Sequence, residues 1–197
     1  MANEVLVKDA GGPTIISFNV TASYSPADSG TDWLAETAAD TNVAFGWGAS
    51  PPADGAGWQS AKCDLGATRA RRYRVLGCVD FTGETPTAGG TVDYYWAPSE
   101  SSVAGEANVA GNSGGNAAAP AVALGSITLA EFVLQCQYIG SLTVHDGAVV
   151  QNGLVSEDFR PCSRRGQLVM VNNSGDAFEA DDVEHCQLFV PVTDEIQ

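Results

Sequence analysis

Two histidines and five cysteines are the chain's only imidazoles and thiols, and their spacing limits the catalysis it can assemble. His145 precedes Asp146-Gly147, a turn dipeptide, which places it beside a loop. His185 directly precedes Cys186. Neighbouring strand residues point to opposite faces, so these two form no local thiolate–imidazole pair. Cys63, Cys78, Cys136, Cys162 and Cys186 are odd in number, widely spaced and never C-x-x-C. That pattern reads as reduced thiols in packing positions, not as a disulfide framework or a zinc site. Asp176, Glu179, Asp181 and Asp182 cluster, but without the alternating ligands and central glycine of a calcium loop. They read as a solvated acidic turn. No phosphate-cradling or dinucleotide glycine motif occurs, so neither cofactor nor metal is expected.

The string Gly111-Asn112-Ser113-Gly114-Gly115 resembles the nucleophile loop of chymotrypsin-like serine proteases. Asn112 replaces the acidic residue of that family, and both histidines come later in the chain. With no candidates for the other triad roles, the string reads as a chance match in a Gly/Ser/Asn-rich loop. Trp33, Trp47, Trp58 and Trp96, with Tyr94 and Tyr95, suggest two uses: a sugar-stacking platform, or packing in core and interface. Packing is the preferred expectation. Asn19-Val20-Thr21 and Asn172-Asn173-Ser174 match the glycosylation pattern and read as coincidences.

The elements that would position these residues are short strands between Gly, Pro, Ser, Asn and Asp clusters. Strands are expected at 14–20, 71–81, 91–97, 132–144, 166–172 and 183–192. In the clearest alternator, Tyr73, Val75, Gly77, Val79 and Phe81 share one face, opposite Arg72, Arg74, Leu76, Cys78 and Asp80. The run 132–144 is apolar on both faces and broken at Gly140-Ser141, which suggests a bulge. Hairpin turns are expected at Asp146-Gly147, Asn152-Gly153 and 173–176. Helical periodicity is weak, with short candidates at 32–39 and 128–134. The pattern predicts an all-β fold: a single jelly-roll or Greek-key β-sandwich over 14–197, with an extended N-terminal segment at 1–13. Residues 98–126 form a long Gly/Ala/Ser-rich loop, expected to be ordered against a neighbour and to serve as a contact arm.

The chain has 197 residues, with 44% hydrophobic and 17% charged, too apolar for a disordered acidic tail despite a net charge of −15. Nucleic acid is excluded as a partner by the scarcity of lysine, and an anionic membrane surface for the same reason. No secretory segment and no spanning stretch is read, so a soluble product made in a cytoplasm is expected. The charge is uneven. Residues 61–80 carry Lys62, Arg69, Arg71, Arg72 and Arg74 against Asp64 and Asp80, a local net of +3. Arg160, Arg164 and Arg165 form a second basic spot, while residues 171–197 hold seven acids and no Lys or Arg. Two readings stand side by side: opposed patches that meet between subunits, or solvated ion pairs within one chain. Arg69, Arg71, Arg72, Arg74, Arg164, Arg165, Trp58 and Trp96 are the candidate interface residues.

The last third carries a family flavour in EFVLQCQYIG at 131–140, GQLVMVNNSG at 166–175 and QLFVPVTDEIQ at 187–197. It is similar in style to small structural virion proteins of tailed bacteriophages, of the head decoration or cement type. The resemblance implies a non-enzymatic, β-rich and trimeric protein on the outer capsid surface, with the major capsid protein and its own copies as partners. It transfers no functional residue. Glycan binding, and a place in the neck, tail or fibre, are the alternatives.

Overall fold

The computed structural model describes residues 15–20, 41–67, 69–122, 127–180 and 184–192. The expectations for residues 1–13, the helix at 32–39, Trp33, Asp181 and Asp182 lie outside the described residues. Eleven strands are described: β1 (Ile16–Asn19), β2 (Thr41–Ala44), β3 (Gly57–Gln59), β4 (Cys63–Asp64), β5 (Arg72–Asp80), β6 (Thr91–Ser99), β7 (Ala117–Ala119), β8 (Gln137–Thr143), β9 (Val150–Phe159), β10 (Arg165–Asn173) and β11 (Cys186–Val192). One helix, α1 (Leu129–Val133), precedes β8.

The strands form two sheets, ordered β2-β1-β11-β5-β9 and β7-β3-β10-β6-β8, with β4 continuing β3 along the same edge of β10. All pairings are antiparallel except β1 with β2. With β3 and β4 counted as one interrupted strand, and the outer additions β2 and β7 set aside, eight strands remain. The first pairs with the last, the second with the seventh, and the chain swings between sheets at most connections. That wrapping is a jelly roll, which decides between the two sandwich types the sequence allowed.

The core follows from strand alternation. Tyr73, Val75 and Val79 of β5, and Phe81 just after it, are buried between the sheets beside Phe18, Tyr94, Trp96, Leu168, Met170 and Phe189. Burial of apolar area on this scale is the main stabilising contribution. Gly77 shares that inward face, and any side chain there would press on the Tyr94 hydroxyl and Gln187. The helix candidate at 128–134 forms as α1, so the strand expected at 132–144 starts only at Gln137. Thr128 caps the Glu131 amide while the Glu131 carboxylate accepts from Thr128, and this capping box nucleates a helical turn. The pairing of β6 with β8 then slips by one residue between Tyr94 and Tyr95, next to the glycine where a bulge was expected. Asn152-Gly153 is not a turn. It lies inside β9, where Gly153 pairs with Gly77. Asp146-Gly147 and residues 174–176 of the expected 173–176 turn do lie between strands, but each connection joins strands of different sheets, so neither closes the expected hairpin.

Loop 98–126 is the larger departure. Its described part, to residue 122, is anchored on its own chain rather than reaching outward. The Gln59 and Asn112 side-chain amides exchange two hydrogen bonds of 2.7 Å. Lys62 Nζ donates to the backbone carbonyls of Ser101, Val103 and Glu106 at 3.2, 2.6 and 2.9 Å. β7 adds to β3, and α1 places Phe132 on Ala97 and Val169, covering part of the outer face of that sheet.

Candidate functional site

The chemistry-bearing residues are dispersed through the sandwich. Cys63, Cys78 and Cys186 are buried, and burial pushes the thiols of Cys63, Cys136 and Cys186 up to about 12. Such thiols are protonated and unreactive at neutral pH. His185 is fully buried, and desolvation holds its imidazole down to about 3. Its Nδ1 accepts the Asp80 amide at 3.3 Å, so the ring is neutral with its proton on Nε2. Ser113 Oγ accepts the Gly115 amide at 3.2 Å, a local turn contact. No group of three or more His, Cys, Asp or Glu side chains among the described residues is arranged to hold a metal. Asn172, the acceptor of one glycosylation pattern, is buried with its amide bound to the carbonyls of Pro52 and Asp176.

The three described tryptophans do not form a platform. Trp96 is 0% exposed and donates Nε1 to Ser163 Oγ, so it is a core residue, which corrects its place among the interface candidates. Trp47 is buried against Phe178 and His185. Trp58 is half-buried, edge-on to Trp47, with Nε1 donating to Asn116 Oδ1 at 2.8 Å. On β6 the alternation that buries Tyr94 and Trp96 turns Tyr95 outward. There it meets Tyr138 of β8 with ring centroids 5.3 Å apart, and Tyr138 is 56% exposed. Beside this pair Asp93 accepts hydrogen bonds from Ser141 and from Asn173, linking three strands.

The topology sorts charge along the long axis of the sandwich. β4, β5, β9 and β10 each have one end at Asp64, Arg72, Phe159 or Arg165; register pairs these ends within each sheet, and the ring contact of Trp96 with Phe159 brings the two sheets together there. All eight described Lys and Arg residues lie at or near this end: Lys62, Arg69, Arg71, Arg72, Arg74, Arg160, Arg164 and Arg165. At the opposite end the loops before β3, β6, β9 and β11 hold only acids, including Asp54, Glu84, Asp146, Asp176 and Glu179. With nine residues in β5 and in β10, the ends are about 30 Å apart, more than three Debye lengths at physiological salt. Each end therefore presents its own charge despite the net of −15.

The basic candidates divide by what they touch. Arg164 grips Asp64 at 2.6 and 2.9 Å, and Arg165 Nε reaches the same carboxylate at 3.2 Å. These arginines hold the Asp64 carboxyl below the usual range although its partial burial pushes the other way. Arg72 lies 3.7 Å from Asp158, which also pairs with Arg160. Arg69, Arg71 and Arg74 are exposed and make no ion pair or side-chain hydrogen bond among the described residues. Arg72 and Arg74 share the outer face of β5, as alternation requires, whereas Arg69 and Arg71 lie in the connection before the strand. Of the two sequence readings, ion pairs within the chain account for Arg72, Arg160, Arg164 and Arg165. Family models, curated proteins and solved structures were compared with this chain, and none matches.

Proposed function

We propose that this chain is a non-enzymatic virion structural protein of a tailed bacteriophage that binds and stabilises the outer surface of the head. The observation that carries the proposal is the use made of its chemistry-bearing side chains. Its buried thiols, His185 and Ser113 all serve packing or turns, while the strongest organised feature is a rigid sandwich with distinct charged ends. Jelly rolls serve as capsid and lectin domains, so the fold is compatible with surface binding without dictating it. The family-like segments at 131–140, 166–175 and 187–192 coincide with α1, β8 and the central strands β10 and β11. They build the sandwich itself and point to no contact residue. Binding around a symmetric oligomer, with a trimer as the expected state, would multiply weak contacts by avidity. The test is sedimentation of the purified protein with phage heads that lack it, followed by heating. Co-sedimentation and a raised temperature of DNA release are expected, and heads that neither bind nor gain resistance would refute the proposal.

Glycan binding stands as a second reading, on one observation. The exposed Tyr138 ring beside Tyr95, with Asp93, Ser141 and Asn173 adjacent, offers an apolar ring face next to hydroxyl-binding groups. Signal on a glycan array that Tyr138→Ala abolishes would support it, and a silent array would remove it.

A further inference from the structure

We infer that the basic end of the sandwich is its docking end, and that it takes a carboxylate-rich protein surface. This rests on the virion-binding reading and specifies the orientation: arginines toward the partner, acidic loops outward.

The two ends use their charges differently. Three carboxylates of the acidic end, those of Asp54, Asp80 and Asp176, are engaged inside the molecule as turn caps, while Glu84 and Asp146 lie outside these caps. Asp54 accepts the Gly175 amide at 2.9 Å, and Asp80 accepts both the amide and hydroxyl of Thr82 at 2.7 Å. Asp176 accepts the amide and hydroxyl of Thr85 at 2.9 and 2.8 Å and the Ala177 amide at 2.8 Å. Such carboxylates already have their hydrogen bonds. At the other end, Arg69, Arg71 and Arg74 have no such role among the described residues. A guanidinium pairs two parallel N–H bonds with a carboxylate, and arginine is enriched at interfaces where Asp and Glu are depleted.

The basic end also has relief. A cleft of about 350 Å³ opens between Pro98, Glu100, Ala107 and Val109. Ser99, on its wall, pairs with Arg165, which fixes the cleft beside the arginines. Ala107 in its lining holds a left-handed backbone, φ +50°, and the buried Oδ1 of Asn108 has no hydrogen-bond partner. Val103, 53% exposed, stands on the same loop. Strain, an unmet acceptor and an exposed apolar side chain thus meet on the Arg165 side of the basic end.

The test measures co-sedimentation with phage heads lacking the protein, at about 50 and 500 mM salt, which span Debye lengths on either side of the physiological one. Wild type is expected to lose at least about tenfold in affinity across that range. The triple variant Arg69→Glu, Arg71→Glu, Arg74→Glu should lose about a hundredfold at low salt, and the corresponding Gln triple about tenfold. Glu84→Lys with Asp146→Lys, at the acidic end and outside its turn caps, should stay within about threefold of wild type. Thermal melts establish that each variant is folded, and the Gln triple carries the test if the Glu triple is not. Loss of binding in the acidic-end variant, with the arginine variants unaffected, overturns the orientation while leaving the virion reading intact. Displacement of the protein from heads by a short DNA duplex would make the partner a nucleic acid and overturn the proposal. Wild type that binds no heads refutes both readings together.

Discussion

His185 lies with its ring 4.1 Å from that of Trp47 and 5.5 Å from that of Phe178, in the core and remote from water. Its neutral form is required there, so protons bind the unfolded chain first as pH falls. Stability conferred by the neutral ring is complete above the unfolded value near 6.5 and is lost progressively down to about 3. Between pH 7 and 5 the expected loss is about 2 kcal/mol. Urea midpoints at pH 7, 6 and 5 should fall steadily in wild type and stay flatter in His185→Gln, at a lower starting stability. A wild-type midpoint independent of pH in this range would contradict the assignment. Ala107 and Ala110 make a second residue-scale case, with φ of +50° and +54°. Glycine at either position removes Cβ strain of about 1–2 kcal/mol against an unfolded-state entropy cost of about 0.5–1 kcal/mol. Each Ala→Gly change should therefore raise stability slightly, by about 0.5 kcal/mol in denaturant titrations. The aromatic roles were legible at this scale. Period-two alternation through residues 94–96 already separates Tyr94 and Trp96 from Tyr95, and grouping them as one platform set that rule aside.

Strands with one clear periodicity could be read directly. β5 was legible because Tyr73, Val75, Val79 and Phe81 alternate with charged and small residues. β9 was not, because Asn152-Gly153 carries a turn signature that cross-strand pairing with Gly77 and Cys78 overrides. That loop 98–122 is ordered by its own chain was not legible, because its anchors, Gln59 and Lys62, are remote in sequence. Lys62 is the element's main clamp, with its ammonium on three backbone carbonyls. Lys62→Met keeps the stem but leaves those carbonyls without their donor. The expected cost is about 1–3 kcal/mol, together with faster amide exchange and proteolysis confined to 100–108. Uniform exchange across the chain would count against the clamp. Gly140 sets the approach of β8 to β9, since a Cβ there would stand 2.2 Å from the Val155 carbonyl oxygen. Backbone cannot give way as a flexible side chain does, so Gly140→Ala should cost more than about 3 kcal/mol, or prevent folding.

Segregation of charge is a property of the whole molecule. It was half legible in sequence: the basic and acidic segments were visible, but not that the jelly roll carries them to opposite ends. The segregation makes position matter more than net charge. Glu84→Lys and Glu157→Lys each move the formal charge from −15 to −13, and both residues are exposed or half-exposed. If global repulsion governed stability, the two would act alike. At about 20 mM salt the Debye length is about 20 Å, so ends about 30 Å apart still lie more than one Debye length from each other and each new lysine feels its own end more strongly than the other. Lys at 84 enters a cap with no other described base and should stabilise by about 0.3–0.5 kcal/mol at low salt. Lys at 157 joins Arg72, Arg74 and Arg160 near β5 and β9 and should be neutral or destabilising by a similar amount. Thermal melts at about 20 mM salt should therefore move the two variants in different directions, and the difference should fade near 0.5 M as screening shortens the reach of each charge. Equal shifts at low salt would mean that the −15 acts as a single field, and would remove the physical basis for giving the two ends separate roles.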